Sequence, residues 1–240
     1  MRWIEPLAAL GILGGLAQAP GPLPHPPQAP PPVFPAPVQQ PVQPRYEVVL
    51  DAAHGGSDPG AKLGGGVLEK DITLALAGRL RSMLHARGID VVMTRQTDAA
   101  IAPLDRAQAA NHAQAAACLV IHATATGSGI HLFTSSLAPA EKTRFLPWPT
   151  AQSAYVTQSL KLESEIDTAL AHAQIPVTLG RASVEPMDSL ACPAVAVEMA
   201  PQVGGQVTAG KPITDPGYQT SVVNAIVAAL EAWRSDWKQS

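Results

Sequence analysis

Short apolar runs rich in β-branched residues alternate with longer stretches of helical periodicity from Arg45 to the end of the chain. The short runs predict five strands, at residues 46–51, 89–94, 117–122, 129–134 and 193–199. Helical spacing predicts four helices, at residues 71–87, at 103–116, at about 152–173 and from 215 onward. This alternation is typical of an α/β fold. We therefore expect a single domain with a mainly parallel central sheet and helices on both faces.

The first 44 residues lack this alternation and divide into two parts. Residues 1–19 carry Arg2 ahead of an apolar run and end in Ala-Gln-Ala, which is the pattern of a secretory signal peptide. A short membrane anchor or a disordered apolar terminus is the alternative, because the run is short for a membrane span. Residues 20–44 are rich in proline and predict a disordered, extended linker. The folded domain is expected at residues 45–240, in an exported protein.

Charge and cysteine content narrow the class of protein. The formal net charge is −3, so a nucleic-acid partner, which would require a basic face, is not expected. The two cysteines, Cys118 and Cys192, fit no metal-binding knuckle or redox motif. They are expected to be small core residues, or to form a disulfide if the compartment is oxidising.

Protonatable side chains follow three of the predicted strands at their carboxyl ends. His54 comes after the first strand, His122 ends the third, and Glu198 lies at the end of the fifth. The carboxyl ends of parallel strands meet at one edge of a sheet, where loops form a crevice. Glu69 closes the glycine-rich segment HGGSDPGAKLGGGVLE and can fold back to join them, because the glycines allow the chain to turn.

Two imidazoles and one carboxylate are the donors of an open zinc site, in which the fourth position is left for water. In such a site His54, Glu69 and His122 would bind the metal, and Glu198 would be the second carboxylate, which takes the proton of the water. The spacing of the three donors matches no short zinc motif. An alternative therefore stays open, in which His54 caps a loop and His122 is a hydrogen-bonded core residue.

Six segments of the chain carry a resemblance to a known family: VVLDAAHGGSDPGA with LEKD, VVMTRQTD, PLDRAQAAN, LVIHATA, GIHLFTSS and PAVAVEMA. In this order and spacing, over roughly residues 46–234, they resemble the zinc-dependent N-acetylmuramoyl-L-alanine amidases of bacterial cell walls. The resemblance implies that His54, Glu69 and His122 are the zinc ligands and that Glu198 is the catalytic glutamate. The implied reaction is hydrolysis of the amide between N-acetylmuramic acid and L-alanine in peptidoglycan, for cell-wall remodelling or daughter-cell separation.

Three positions depart from the usual pattern of that family. Ala52-Ala53 precedes the first histidine in place of proline and glycine, and Ala123-Thr124 follows the second in place of an asparagine. Met199-Ala200-Pro201 replaces the usual glycine and aromatic residue after the glutamate. The predicted ligands are unaffected, so the changes are expected to alter loop shape and substrate contacts.

Two further residues are candidates for substrate binding. His131 lies on a predicted strand near the site and could touch substrate, but the strand position favours a half-exposed histidine without that role. Arg181 precedes the last predicted strand, and its guanidinium suits a carboxylate of a muropeptide.

The resemblance also implies the partners, which are peptidoglycan and its muropeptides. A protein activator stays open, and contact with a membrane is expected only through the N-terminal segment. Two other functions remain as alternatives. One is a non-catalytic peptidoglycan-binding module of the same fold, and the other is a zinc peptidase that acts on the stem peptide.

Overall fold

The computed structural model describes residue 21 and residues 45–140, 146–204 and 210–237. The leader predicted for residues 1–19 and all but one residue of the predicted linker lie outside these ranges. Within them, no helix combines the length and apolar character needed to cross a membrane.

Six strands form one sheet, and their bounds are β1 Glu47–Ala52, β2 Asp90–Met93, β3 Ala117–Ala123, β4 Ile130–Ser135, β5 Val177–Ala182 and β6 Ala194–Met199. Their order across the sheet is β2-β1-β3-β6-β4-β5. The strands β2, β1, β3 and β6 are parallel, whereas β4 is antiparallel to β6 and parallel to β5. The sheet is therefore mainly parallel, as predicted, with a reversed pair at one end.

The strand β5 is the one that the sequence pattern does not predict. It lies at the edge of the sheet, and Thr178, Leu179 and Arg181 are all exposed. Gly180 interrupts the strand at its centre. An edge strand with little burial carries neither a continuous apolar run nor a clean alternation, so the pattern gives no signal there.

The four predicted helices all form, with bounds α1 Glu69–Ala86, α2 Pro103–Ala113, α3 Val156–His172 and α4 Pro216–Trp237. The helix α2 ends three residues earlier than predicted because Gln114 takes a left-handed conformation, with φ of 51°. The helix α3 begins later than predicted because a 3-10 helix, Trp148–Ala154, precedes it. A second short 3-10 helix spans Met187–Ser189.

Alternate side chains of each strand lie on opposite faces of the sheet and pack into two separate cores. The larger core lies between the sheet and α1, α3 and α4, and includes Leu50, Leu80, Leu119, Leu162, Val197 and Leu230. The smaller core lies on the α2 face and includes Val49, Ala107, Val120, Met187 and Ala196. Helices therefore cover both faces, as predicted.

A disulfide joins Cys118 of β3 to Cys192, which lies just before β6. Both cysteines are in the smaller core and are 1% exposed. The structure thus favours the paired state over two free core cysteines. The bond joins β3 to the segment before β6 across 74 residues of sequence, which stabilises the fold by restricting the unfolded chain.

Candidate metal centre

Two buried arginines donate hydrogen bonds to the backbone of the loop after β1. Arg106 donates from Nη2 to the carbonyl oxygen of His54 at 2.6 Å, and Arg95 donates from Nη2 to that of Ala53 at 3.0 Å. The two arginines are 5% and 3% exposed. His54 itself has φ of 62°, a left-handed conformation that is costly for a residue with a Cβ. The arginine contacts stabilise this conformation and so fix the direction of the imidazole.

The imidazole of His54 is oriented by an acid four residues further on. Its Nδ1 lies 2.8 Å from Oδ2 of Asp58, and its Nε2 lies 3.1 Å from Oε2 of Glu69. The hydrogen bond with His54 and a second from the backbone N–H of Gly60 hold the pKa of Asp58 below its usual range. A carboxylate on one ring nitrogen of a histidine leaves the other nitrogen free to act as a metal ligand.

Glu69 is the first residue of α1 and is only 5% exposed. Its Oε1 accepts a hydrogen bond from the backbone N–H of Ala123 at 3.1 Å and lies 2.9 Å from Nδ1 of His122. Its Oε2 accepts one from the N–H of Ala61 at 2.8 Å. Burial alone would raise the pKa of Glu69, but the hydrogen bonds from His122, Ala61 and Ala123 outweigh it and lower the pKa to about 2. The carboxylate is therefore held ionised.

Gly60 allows the loop to close over these side chains. It has φ of 63°, and a Cβ there would lie 2.6 Å from Cδ2 of His54 and 2.7 Å from Oε2 of Glu69. Any other residue would collide with both predicted ligands. The glycine-rich loop therefore brings Glu69 against His54 because Gly60 adds no side chain between them.

The three predicted ligands converge in the structure. One donor atom from each of His54, Glu69 and His122 lies within 4.8 Å of the others. Oε1 of Glu69 lies 2.9 Å from Nδ1 of His122, and Oε2 lies 3.1 Å from Nε2 of His54. Both distances are near the separation of about 3.4 Å between two donors on a tetrahedron with zinc bonds of about 2.1 Å. The other ring nitrogen of His122, Nε2, is buried and has no hydrogen-bond partner within the described part of the chain. The donor set and its spacing fit a divalent metal.

A row of three side chains crosses the sheet next to this cluster. In the strand register His122 of β3 is opposite Glu198 of β6, and Glu198 is opposite His131 of β4. All three point to the α2 face, since they alternate with residues of the larger core. Nδ1 of His131 lies 2.7 Å from Oε2 of Glu198. The row therefore places a hydrogen-bonded carboxylate beside His122.

Arg181 lies away from this row. Arg181 is near the carboxyl end of β5. Because β4 and β5 run opposite to β6, that end lies beside the amino end of β6, whereas Glu198 is near the carboxyl end of β6. Its guanidinium donates to the carbonyl oxygens of Ser135 at 2.7 Å and Leu137 at 2.6 Å. A contact of Arg181 with substrate stays a prediction. A contact of His131 with substrate also stays a prediction, and its imidazole is hydrogen-bonded to Glu198.

The sequence pattern does not predict a role for Asp58 or Gly60, although both are in the segment HGGSDPG. An acid four residues after a candidate histidine and a glycine in the same turn are weak signals by themselves. Their positions become informative only once the loop is seen to fold back on Glu69.

The fold and the site define a class of protein. It is an α/β domain in which histidine and acid side chains converge on a candidate metal centre, at the carboxyl ends of the parallel strands. The chain belongs to the N-acetylmuramoyl-L-alanine amidase family, which it matches over residues 48–232.

Individual relatives agree with this assignment. The chain is 37% identical over 109 residues to the N-acetylmuramoyl-L-alanine amidase AmiC of Neisseria meningitidis, a match that covers 42% of this chain and 26% of that relative. This chain therefore spans about a quarter of the length of that curated relative.

Solved structures of amidases share the fold. Ami1 from Mycobacterium smegmatis aligns with a TM-score of 0.63 at 21% identity, over 80% of this chain and 97% of that one. The CwlD amidase from Clostridioides difficile, solved in complex with the GerS lipoprotein, aligns with a TM-score of 0.60 at 20% identity, over 80% and 99% of the two chains.

Proposed function

We propose that this protein is a zinc-dependent N-acetylmuramoyl-L-alanine amidase, which hydrolyses the amide between N-acetylmuramic acid and the L-alanine of the stem peptide in peptidoglycan. The observation that carries the proposal is the convergence of His54, Glu69 and His122 within 4.8 Å, with Glu198 in the next strand beside His122. Membership of the amidase family supports the substrate class.

The ligands would be Nε2 of His54, the carboxylate of Glu69 and Nδ1 of His122. Two nitrogens and one oxygen suit zinc, and the ionised state of Glu69 is the one that binds a cation. Zinc, when bound, lowers the pKa of a coordinated water and polarises a carbonyl. The protein contributes by holding the donors in place through Asp58, Arg106 and the backbone N–H groups on Glu69.

Glu198 is the proton carrier in this proposal. It would accept a proton from the attacking water and deliver it to the alanine nitrogen as the C–N bond breaks. His131 would act as a positioning residue, because its hydrogen bond of 2.7 Å holds the carboxylate of Glu198 in one orientation. A general base must be fixed within reach of the proton that it takes, and this pair supplies that restraint.

Digestion of purified sacculi tests the proposal directly. The zinc-loaded protein should release muropeptides with new amino-terminal L-alanine, a chelator should stop the release, and added zinc should restore it. New amino termini within the stem peptide would indicate the zinc peptidase instead. Binding to sacculi without any new amino terminus would indicate the non-catalytic binding module.

We further propose that the protein is exported to the periplasm or cell envelope, with residues 1–19 as leader or anchor and residues 20–44 as a linker to the catalytic domain. The buried disulfide between Cys118 and Cys192 supports this location, since such bonds persist in oxidising compartments. The intact mass of the protein recovered from the envelope fraction would show whether the leader is removed. Recovery of the protein only from the cytosol, with free thiols, would contradict export.

We also propose that a protein partner can regulate the enzyme. The similar CwlD amidase was solved in complex with a lipoprotein, which is a property of that protein and only suggests a regulated family. Full turnover of sacculi by the purified chain alone, unchanged by envelope extract, would argue against an activator.

A further inference from the structure

A cleft of about 180 Å³ opens beside the candidate metal centre on the α2 face, and His54 and His122 are in its wall. A second cleft, of about 380 Å³, adjoins it. Pro103, Glu185 and Pro186 line both clefts, so the two form one continuous groove that leads away from the metal centre.

The far part of this groove carries exposed apolar side chains. Trp148 is 41% exposed and Leu104 is 53% exposed, and both line the second cleft. Ser183, Asp188 and Ser189 line the same cleft. An aromatic face next to hydroxyl and carboxylate groups matches a pyranose ring, which presents apolar C–H faces and a rim of hydroxyl groups.

The charges of the groove select between the two halves of the substrate. Asp58, Glu185 and Asp188 line it, and among the described lining residues the one cation is Arg106, which is engaged with Asp51 and backbone carbonyls. Asp188 already accepts hydrogen bonds from the hydroxyls of Ser135 and Ser183, and Asp58 accepts one from the N–H of Gly60 and is hydrogen-bonded to His54. Glu185 and the remaining lone pairs of these two acids can accept from the hydroxyls of an uncharged sugar, and the negative lining repels the carboxylates of a stem peptide.

We propose that the second cleft is a subsite for the glycan strand of peptidoglycan, in which a sugar ring stacks on Trp148. The subsite rests on the proposed amidase function, because a groove that begins at the scissile amide must receive either the glycan or the stem peptide. The aromatic surface and the acidic lining select the glycan.

Calorimetric titration of the zinc-loaded full chain with chitotetraose, an uncharged glycan without peptide, measures the subsite without requiring catalysis. Trp148→Ala should weaken binding about tenfold, since stacking is lost. Trp148→Phe should retain part of the affinity because an aromatic face remains. Trp237→Ala is the matched control, since Trp237 is a half-buried tryptophan in a different cleft, and it should bind as the parent does.

Kinetics on substrates of different glycan length separate this proposal from the proposed function. Trp148→Ala should raise KM on long glycan strands about tenfold with little change in kcat, and should leave cleavage of a one-sugar muramyl peptide unchanged. If the parent cleaves muropeptides but Trp148→Ala binds and cleaves as the parent does, the subsite is wrong and the amidase stands. If chitotetraose binds through Trp148 but no alanine amino group is released, the subsite stands and the amidase is wrong.

Two further results would overturn the subsite. One is the absence of chitotetraose binding to the parent at millimolar concentration. The other is competition at Trp148 by a free stem peptide in place of the glycan. Melting temperatures of all three variants show whether an effect of Trp148→Ala comes from misfolding, and Trp148→Phe keeps the test valid in that event.

Discussion

Glu69 at the start of α1 and Glu163 in α3 are almost equally shielded from water, at 5% and 6% exposure. Glu69 accepts backbone hydrogen bonds on both oxygens and has two histidines beside it. Glu163 has one oxygen, Oε1, without a partner among the residues that the structure describes. The pKa of Glu69 is lowered to about 2, whereas burial, aided by the charge of Asp167, raises that of Glu163 to about 7.

The difference shows that burial alone does not set the charge of a carboxylate. Removal from water disfavours the charged form of both groups. Only at Glu69 do donors outweigh that cost and keep the anion, which is the state that a cation requires. Among the residues that the structure describes, Glu163 has no such donors, so its buried carboxyl favours the neutral form.

The largest expected effect is on metal content. Glu69→Gln removes the charge and replaces the carboxylate donor with a weakly binding amide oxygen, so zinc content after dialysis should fall from about one per chain to well below half, with activity falling alongside. Glu163→Gln makes the same change at the same burial and should keep its zinc. Elemental analysis of both variants checks the contrast, and a fully loaded Glu69→Gln would refute the assignment of Glu69 as a ligand.

The second largest effect is expected from Glu198→Gln, which should lower turnover while the protein keeps its zinc. Glu198→Gln keeps the shape and hydrogen bonding of the side chain but cannot accept a proton, so kcat should drop by about 10²-fold or more. Zinc content should stay near that of the parent, which separates this acid from Glu69. A variant that lost its zinc, or that cleaved muropeptide at the parent rate, would show that Glu198 is not the base.

A smaller effect is expected from the partner of Glu198. His131→Leu removes the hydrogen bond of 2.7 Å, and we expect kcat to fall about tenfold while KM changes little. His131→Gln can still donate to Glu198 and should recover much of the rate. A rise in KM with kcat unchanged would instead indicate that His131 contacts the substrate.

The two buried acids should also differ in their effect on stability with pH. The pKa of Glu163 in the folded protein, about 7, is above the ordinary value of 4.5, so the folded state holds this proton more tightly. That contribution is fully present below pH 4.5 and is lost as the pH rises through 7. Glu163→Gln should therefore stabilise the protein at pH 8, on the order of 2 kcal/mol, and have little effect at pH 5. Urea unfolding at the two pH values measures this, and equal effects at both would contradict the raised pKa.

The smallest effect is expected from removal of the N-terminal segments. A chain that starts at Arg45 keeps both acids and all of their described contacts, and residues 20–44 show no apolar periodicity that would join a core. Its melting temperature, zinc content and turnover should match those of the full chain. A large loss of stability would show that the proline-rich segment packs on the domain.

Sequence by itself determined which residues could meet. The pattern predicts one cluster, because the carboxyl ends of parallel strands lie at the same edge of a sheet. His122 and Glu198 stand at the ends of apolar runs, His54 follows the first strand, and Glu69 precedes a helix. Three of them, His54, Glu69 and His122, do converge, and Glu198 lies opposite His122 on the next strand. The helices and the mainly parallel sheet form as predicted. These features are readable because local periodicity reports burial and strand direction places the loops.

Tertiary structure alone decided the rest. The strand β5 is an exposed edge strand without apolar alternation. The strand β4 runs antiparallel to β6, and this pairing, which no local sequence pattern encodes, places His131 opposite Glu198. The charge of Glu69 depends on partners at His122, Ala61 and Ala123, which are 53, 8 and 54 residues away along the chain. Glu163, with the same side chain, has no such donors within the described ranges of the chain. A charge state is set by the atoms that surround a group in space, and the chain brings those atoms together only when it folds.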